Sequence, residues 1–170
     1  DASALGGLWL EQEPTREAIL AEILGQDLTP YAEIVFCGYG EPTCRADDMF
    51  WICDRLKAAG REDIPPIRLN TNGHGSLINH RNITSELAGR LDAVSVSLNG
   101  SNEAEYLRLT RPGSGEAGWE AMLDFVREAA KYVPRVMVSI VDYDKSPEEI
   151  EACRRLAESL GATFRVRPFA

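Results

Sequence analysis

The sequence predicts an α/β fold whose parallel sheet curves into an incomplete barrel. Amphipathic stretches with helical spacing alternate with short apolar runs along almost the whole chain, and this alternation predicts βα units with a parallel sheet. The short runs carry polar residues on one of their two faces. The length agrees, because a complete eight-unit barrel needs about 250 residues. A chain of 170 residues has room for about five or six units.

Five strand-like runs form the predicted sheet. Each run is short and apolar in part, and a glycine-rich or polar break follows most of them. The five predicted strands are Glu33–Cys37, Ile67–Thr71, Ala93–Leu98, Arg135–Val141 and Thr163–Arg167.

Six amphipathic stretches form the predicted helices. They are Thr15–Leu24, Asp47–Ala59, Ile83–Arg90, Glu103–Leu109, Gly118–Tyr132 and Pro147–Leu160. Glycine follows three of the predicted ends, at Gly25, Gly60 and Gly161, as is typical where a helix stops. Thr15 and Ser146 stand at predicted helix starts, where a hydroxyl caps free N–H groups.

The polar faces of the strands favour a barrel over an open sheet. A doubly wound sheet is covered by helices on both faces, so its strands are apolar on both sides. Three predicted strands instead carry polar residues on one side, at Arg68, Asn70 and Asn72, at Ser95, Ser97 and Asn99, and at Arg165 and Arg167. The pattern predicts a barrel with a wet interior, the alternative being that some of these residues lie at frayed strand ends.

Composition excludes several classes of protein. Apolar residues make up 44% of the chain, enough to form a core. The 27 acidic residues outnumber the 18 basic ones, and a net charge of -9 argues against a nucleic-acid coat or an anionic-membrane binder. The sequence has neither an apolar run of membrane-spanning length nor a secretory signal. With only four cysteines, irregularly spaced, we expect a reduced, cytoplasmic protein.

Ligands of parallel βα folds bind at the carboxyl ends of the strands, and there the sequence is rich in glycine and polar groups. Gly38 and Gly40 follow the first strand, where glycines let a backbone approach a ligand closely. Freed carbonyls and the Glu41 carboxylate would suit the ammonium of an amino-acid-like ligand. The alternative is a plain βα turn. The segment lacks the Gly-Lys-Ser/Thr of a phosphate-binding loop and the third glycine of a dinucleotide fingerprint.

Several segments resemble, in order, motifs of the radical S-adenosylmethionine (SAM) enzymes. Phe36–Thr43 resembles their Gly-Gly-Glu segment and Leu69–Gly73 their Thr-Asn-Gly strand. Val94–Asn99, with Tyr106 and Arg111-Pro112, resembles the fourth strand and following helix, and Arg165–Phe169 the end of the sixth. The Phe-Cys-Gly-Tyr-Gly-Glu-Pro-Thr segment, preceded by Leu8-Trp9-Leu10-Glu11, is closest to the subfamily associated with TatD-type hydrolases.

The resemblance implies a single domain over residues 1–170, a partial (β/α)6 barrel of the TIM-barrel type whose first βα unit is missing. It also implies oxidoreductase chemistry. A 4Fe-4S cluster cleaves SAM reductively, and the resulting deoxyadenosyl radical abstracts hydrogen from a substrate that the sequence does not identify. The protein supplies position and the exclusion of water.

The resemblance also implies a set of SAM-binding residues. By motif, the methionyl ammonium is held by Gly38, Tyr39, Gly40 and Glu41. The methionyl carboxylate or the ribose hydroxyls are bound by Ser97 and Asn99, with Asn70 and Asn72 alongside. Ile140 and Val141 lie near the adenine, and Arg167 meets an anionic group of SAM or of the substrate.

The cysteines depart from the family pattern. The family's cluster loop is Cys-x-x-x-Cys-x-x-Cys, whereas Cys37, Cys44, Cys53 and Cys153 are widely spaced and are expected to be core or surface thiols. Because the family places that loop upstream of the Leu-Trp-Leu-Glu segment, we expect the cluster ligands before Asp1. The chain begins at Asp1 without a methionine, and we expect an incomplete chain that does not assemble the cluster by itself.

Two alternatives remain open at this stage. The chain is a non-catalytic SAM- or nucleotide-binding module without a cluster, or an ordinary barrel enzyme that uses Glu41 and Asp142 as acid and base. For the radical SAM hypothesis, the expected partners are an electron donor such as flavodoxin or ferredoxin, an unknown substrate and a pathway link to a TatD-type hydrolase, but neither a membrane nor nucleic acid. His74 and His80 are interpreted as loop hydrogen-bonding residues rather than metal ligands.

Overall fold

Five parallel strands form one sheet at the centre of the fold. The computed structural model describes residue 10, residues 12–38 and residues 40–169. The strands are β1 (Ile34–Phe36), β2 (Ile67–Thr71), β3 (Ala93–Ser97), β4 (Arg135–Val141) and β5 (Thr163–Arg167). Their order in the sheet is β1-β2-β3-β4-β5, and every neighbouring pair is parallel. This confirms the predicted α/β fold with a parallel sheet.

The strand order is typical of a partial barrel. Each strand pairs with the next one along the chain, so the order contains no reversal point of the kind that defines a doubly wound sheet. The sheet is therefore consistent with part of a TIM-barrel-like ring. Its carboxyl ends all meet at one edge, where the loops that follow the strands converge.

Among the described residues, six α-helices and two 3₁₀ turns accompany the sheet. The helices are α1 (Arg16–Leu24), α2 (Ala46–Lys57), α3 (Gly75–Ile78), α4 (Glu103–Thr110), α5 (Ala117–Ala129) and α6 (Pro147–Ser159), and the 3₁₀ turns are Pro42–Arg45 and Thr84–Leu87. The predicted caps are present. The Thr15 hydroxyl accepts from the N–H of Ala18, and Ser146 forms a reciprocal capping box with Glu149.

The predicted helix Ile83–Arg90 is wrong. Only a 3₁₀ turn forms there, from Thr84 to Leu87. It cannot extend because Ala88 has extended backbone angles and Gly89 has a φ of 71°. Instead, a single helical turn that the sequence pattern does not predict, α3, forms earlier in the same connection.

The two faces of the sheet differ in chemistry. The core side buries apolar side chains such as Leu69, Val96 and Val138, all 0% exposed, against the helices. On the opposite face, strand register aligns polar residues in rows across neighbouring strands. One row is Asn70, Ser95, Met137 and Thr163, polar except at Met137, and the next includes Ser97, Ser139 and Arg165. This polar face is the surface from which the candidate site is built.

Within the described part of the chain, every helix is too short or too polar to cross a membrane.

Candidate functional site

Two adjoining clefts open where the strands end. The first, which we name the polar cleft, has a volume of about 440 Å³ and is lined by Cys37, Gly38, Gly40, Glu41, Asn70, Thr71, Asn72, Ser97 and Arg167. The second, the aromatic cleft, has a volume of about 410 Å³, and its lining includes His74, Asn99, Tyr106, Val141, Tyr143 and Lys145. Asn72 and Ser97 line both clefts, so the two are continuous.

The Glu41 side chain organises the floor of the polar cleft. Its Oε1 atom accepts hydrogen bonds from the Thr43 N–H at 3.0 Å, the Thr43 hydroxyl at 2.7 Å and the Thr71 hydroxyl at 2.8 Å. Its Oε2 atom accepts one from the Asn72 N–H at 2.8 Å. The carboxylate thus caps the 3₁₀ turn that follows it and joins this turn to the end of β2.

The unequal use of the two carboxylate oxygens matters for binding. A carboxylate offers about four lone-pair sites in all, about two on each oxygen. Oε1 is saturated by three donors, whereas Oε2 accepts only one bond from the described residues and can accept another. An ammonium group is therefore a suitable ligand for Oε2, and the chain itself holds that oxygen in place.

The asparagines at the strand ends are positioned by local hydrogen bonds. The Asn72 side-chain oxygen accepts from the N–H of His74 at 2.8 Å, and the Asn70 side-chain oxygen accepts from Arg68 at 2.6 Å. Asn99 has a left-handed backbone with φ of 62°, which asparagine adopts more readily than most residues. The side chains of Asn70 and Asn72 are thus held by hydrogen bonds, and all three asparagines line a cleft.

The loop after β2 needs glycine at position 73. Gly73 has a φ of 82°, and a Cβ atom there would lie 2.9 Å from Cγ of Met122. Glycine therefore allows the loop to turn tightly against α5. The turn places His74 directly beside the aromatic cleft.

His74 and Tyr106 form a buried polar pair in the wall of the aromatic cleft. His74 Nε2 lies 2.8 Å from the Tyr106 hydroxyl, and the two residues are 7% and 2% exposed. Burial lowers the pKa of His74 and raises the pKa of Tyr106. Both side chains are therefore neutral at pH 7, and one hydrogen bond joins them, its donor set by the tautomer of His74.

A second buried pair joins two loops beside the same cleft. Lys145, after β4, forms an ion pair with Glu105 of α4, and their side chains are 4% and 10% exposed. Glu105 also accepts from the Ser101 N–H at 2.7 Å and the Ser101 hydroxyl at 3.0 Å. Burial by itself would raise the pKa of Glu105, but the bonds from Lys145 and Ser101 outweigh it and lower that pKa. Glu105 is thus ionised at neutral pH.

The family follows from comparison with known proteins. The family model described as the radical SAM superfamily matches residues 6–157, most of the chain. The chain belongs to the radical SAM superfamily. No curated protein sequence matches it.

A solved structure agrees with this fold. The crystal structure of a radical SAM methyltransferase from Sphaerobacter thermophilus superimposes with a TM-score of 0.58 at 18% sequence identity. The match covers 97% of this chain and 50% of that protein, so the chain spans about half the length of the structure that it matches. At this identity the likeness shows the fold.

The radical SAM motif residues converge at one edge of the sheet. Of the residues that the resemblance implies, the polar cleft gathers Gly38, Gly40, Glu41, Asn70, Asn72, Ser97 and Arg167, and the aromatic cleft adds Asn99 and Val141. Tyr39 lies outside the described residues. The Ile140 side chain is 0% exposed in the core and lines neither cleft, because alternate residues of a strand point to opposite faces. Its role beside an adenine remains a prediction.

The cysteines of this radical SAM chain do not converge. Cys37 and Cys44 are exposed, whereas Cys53 and Cys153 are buried in α2 and α6. Burial raises the pKa of Cys53 to about 12 and that of Cys153 to about 11. Across residues 12–38 and 40–169, no three His, Cys, Asp or Glu side chains are grouped as metal ligands would be. The thiols of these residues therefore do not fit the ligand set of a 4Fe-4S cluster.

The two carboxylates of the acid–base alternative do not line the same cleft. Glu41 lines the polar cleft, but Asp142 is exposed and lines neither cleft. The Asp142 carboxylate instead accepts a hydrogen bond from the Phe169 N–H at 2.7 Å and secures the chain after β5.

The sequence alone did not predict the His74–Tyr106 and Lys145–Glu105 pairs, whose members are 32 and 40 residues apart along the chain.

Proposed function

We propose that this chain supplies the SAM-binding face of a radical SAM enzyme. The observation that carries the proposal is the Glu41 carboxylate, fixed by four hydrogen bonds, with Oε2 able to accept one more beside the exposed backbone of Gly38 and Gly40. A carboxylate next to exposed backbone, whose carbonyl oxygens accept hydrogen bonds, suits an α-ammonium group. Because the chain belongs to this superfamily, we expect the ammonium group to be that of SAM.

The remaining parts of SAM fit the chemistry of the two clefts. In this proposal Ser97 and Asn99 bind the methionyl carboxylate or the ribose hydroxyls, with Asn70 and Asn72 alongside. The adenine lies toward Ile140 and Val141 at the end of β4. Arg167 faces an anionic group of SAM or substrate. Hydroxyl and amide side chains suit these roles because each both donates and accepts hydrogen bonds.

SAM bound at a cluster supplies, in this superfamily, a deoxyadenosyl radical that abstracts hydrogen from a substrate. We propose this oxidoreductase chemistry for the whole enzyme, whose substrate is unknown. The described residues do not fit the cluster, so none of them is assigned a part in electron transfer. The cluster ligands are proposed to lie before Asp1, as the family order implies. The part of this chain is to bind and orient SAM and to exclude water.

The segment from Phe36 to Thr43 supports a proposal about the subfamily to which the chain belongs. Its sequence supports the subfamily associated with TatD-type hydrolases as our proposal, and with it a pathway link to such a hydrolase. A radical SAM enzyme of this kind also requires a low-potential electron donor, for which a flavodoxin or ferredoxin is proposed. We propose a cytoplasmic location, where the exposed thiols Cys37 and Cys44 would stay reduced.

A second function is favoured by one observation, the scattered positions of the four cysteines. A module that binds SAM or a nucleotide without a cluster would use the same clefts and would act through a change of conformation or a partner. The full-length protein separates the two proposals. After anaerobic reconstitution with iron and sulfide, cluster absorbance and deoxyadenosine formation support the enzyme. SAM binding with neither signal supports the module.

Calorimetric titration of the chain with SAM tests the binding proposal directly. We expect Ser97→Ala to weaken SAM binding roughly fivefold, because one hydrogen bond contributes about 1 kcal/mol. Ser85→Ala is the matched control, since Ser85 is exposed on the 3₁₀ turn and lines neither cleft. Equal affinities for wild type and Ser97→Ala, or no heat of binding at all, would contradict the site.

A further inference from the structure

A third concavity lies on the polar face of the sheet, at the amino ends of the strands. We name it the basic cleft. It has a volume of about 420 Å³, and its charged lining consists of Glu33, Arg68, Arg135 and Arg165. It is separate from the SAM site in its residues, because it shares none with the polar or aromatic cleft.

The charge of this lining is unbalanced. The single carboxylate, Glu33, is shared by two guanidinium groups, at 2.8 Å from Arg68 Nε and 3.4 Å from Arg135 Nη2. Arg165 has no ion pair with any of the described residues. Three arginines against one glutamate leave the lining with two uncompensated positive charges, in a chain whose net charge is -9.

Arg165 is one of the few basic residues of this protein that form no ion pair with any of the described residues. Most of its lysines and arginines are paired, and those outside any ion pair among the described residues are Arg55, Arg108, Arg111, Arg165 and Arg167. Arg165 and Arg167 alternate along β5, so they lie on one face of the sheet, roughly 7 Å apart along the strand. Arg165 lines the basic cleft, whereas Arg167 lines the polar cleft. An unpaired cation in a concave lining attracts an anion, because a concave surface concentrates the electric field.

We propose that the basic cleft binds an anionic group, a carboxylate or a phosphate, with Arg165 as its principal ligand. The planar guanidinium fork matches the geometry of both groups and can donate two parallel hydrogen bonds. Arg135 lies within the same lining and is only partly neutralised by Glu33. The anion therefore meets at least two positive side chains, from β4 and β5.

If the proposed function holds, the molecule that carries this anionic group can be inferred. SAM is assigned to the clefts at the carboxyl ends of the strands, whereas the basic cleft lies toward their amino ends on the same polar face. A group bound in the basic cleft therefore lies on the same face of the sheet as SAM, displaced toward the amino ends of the strands, and contacts none of the residues that line the proposed SAM clefts. We assign it to a molecule other than SAM. We infer that the substrate carries the anionic group and that this group is bound by Arg165.

Titration with inorganic phosphate tests the anion site without SAM or a cluster. In ¹H–¹⁵N spectra of the chain, the Arg165 Nε–H resonance, identified by its absence from Arg165→Gln, should shift as phosphate is added. Arg165→Gln should weaken phosphate binding about tenfold, since a charge-assisted hydrogen bond contributes about 1.5 kcal/mol. Arg108→Gln, an equal charge change at an exposed position of α4, should leave the affinity unchanged. Equal losses in both variants, or no shift of Arg165, overturn the site.

Competition with SAM tests the source of the anion. Saturating phosphate should leave the dissociation constant of SAM unchanged if the anion belongs to the substrate. A rise in that constant would show that phosphate competes with SAM, and it would overturn the assignment to the substrate. Failure of SAM to bind at all would refute the proposed function and the substrate assignment together, while the phosphate titration would still decide whether the anion site exists.

Discussion

The Glu41 carboxylate accepts a 2.8 Å hydrogen bond from the backbone N–H of Asn72, which lies 31 residues further along the chain. Through this bond and the one from the Thr71 hydroxyl, a single side chain joins the loop after β1 to the end of β2. The polar cleft lies between these two segments. The shape of the proposed SAM site therefore depends on the charge and the acceptor capacity of one residue.

Replacing Glu41 with glutamine should both destabilise the fold and weaken SAM binding. Both carboxylate oxygens accept hydrogen bonds, so an amide NH2 in place of either oxygen faces a backbone N–H or a hydroxyl that can no longer donate to it. We expect a loss of about 1–3 kcal/mol in the free energy of unfolding, measured in urea. SAM affinity, measured by calorimetry, should fall at least tenfold.

Glu120→Gln is the matched control for Glu41→Gln. Glu120 is exposed on α5 and lines neither cleft, so its substitution should change neither the unfolding free energy nor SAM binding. If Glu41→Gln behaves like this control, the carboxylate does not organise the cleft and the proposed SAM site loses its main support.

The fold could largely be predicted because its signals are local. Alternating apolar residues place the strand Ile67–Thr71 at its observed bounds, and Ser146 followed by proline and two glutamates marks the start of α6. The connection from residue 75 to 90 could not be predicted in the same way. Its apolar residues have helical spacing, but Gly89 at positive φ stops the helix and leaves a short 3₁₀ turn. The one-turn helix α3 is too short to show any periodicity.

The candidate site was only partly within reach of the sequence. Residues that follow strands converge by topology alone, so the meeting of Glu41, Asn72 and Ser97 at one edge could be predicted. The hydrogen bond between His74 and Tyr106 depends on how α4 packs beside the loop after β2, which no local pattern encodes. In β4 the alternation of side chains, which the sequence already shows, places Ile140 in the core and Val141 at the cleft, and the role of Ile140 beside an adenine stays a prediction.

The stability of the protein should fall as the pH decreases below about 6.5, and His74 is the reason. Burial lowers the pKa of His74 in the folded state below its ordinary value of 6.5. The unfolded chain then binds the proton more readily, so protonation favours unfolding as the pH falls from about 6.5 toward the folded pKa. Urea midpoints between pH 7.5 and 5.5 should show this decrease in the wild type.

His74→Gln should flatten that pH dependence, because glutamine does not titrate. The control is His80→Gln, since His80 is exposed in the same loop, and this variant should keep the wild-type slope. Carboxylates do not confuse the comparison, because their unfolded pKa values lie near 4. An unchanged slope in His74→Gln would mean that His74 is not the group that titrates.

Native alkylation should distinguish the two classes of cysteine. Cys37 and Cys44 are exposed, whereas Cys53 and Cys153 are buried with pKa values of about 12 and about 11. Because the thiolate is the reactive form, we expect iodoacetamide at pH 8 to add two groups per folded chain and four per unfolded chain, measured by intact mass. Cys37→Ser combined with Cys44→Ser should leave the folded chain unlabelled. Labelling of the buried pair in the folded chain would contradict this packing.

Removing Lys145 should destabilise the protein more than removing any surface lysine. In Lys145→Met, the Glu105 carboxylate keeps its two bonds from Ser101 but loses its counter-charge in a site where it is only 10% exposed. An unpaired buried charge costs about 3 kcal/mol. Lys131→Met, which breaks the exposed pair with Glu128, should cost less than about 1 kcal/mol. Urea unfolding at pH 7 measures both.

Adding Glu105→Gln to Lys145→Met should restore part of the loss, because it removes the unpaired charge that the first substitution leaves behind. The pH gives a second measure of the same pair. Since the pKa of Glu105 is lowered in the folded state, its contribution is complete above its unfolded value of 4.5 and disappears as the pH falls through the folded value. Below pH 4 the difference between wild type and Lys145→Met should therefore narrow. If it stays constant, the cost of the substitution comes from lost packing of the lysine stem and not from the ion pair.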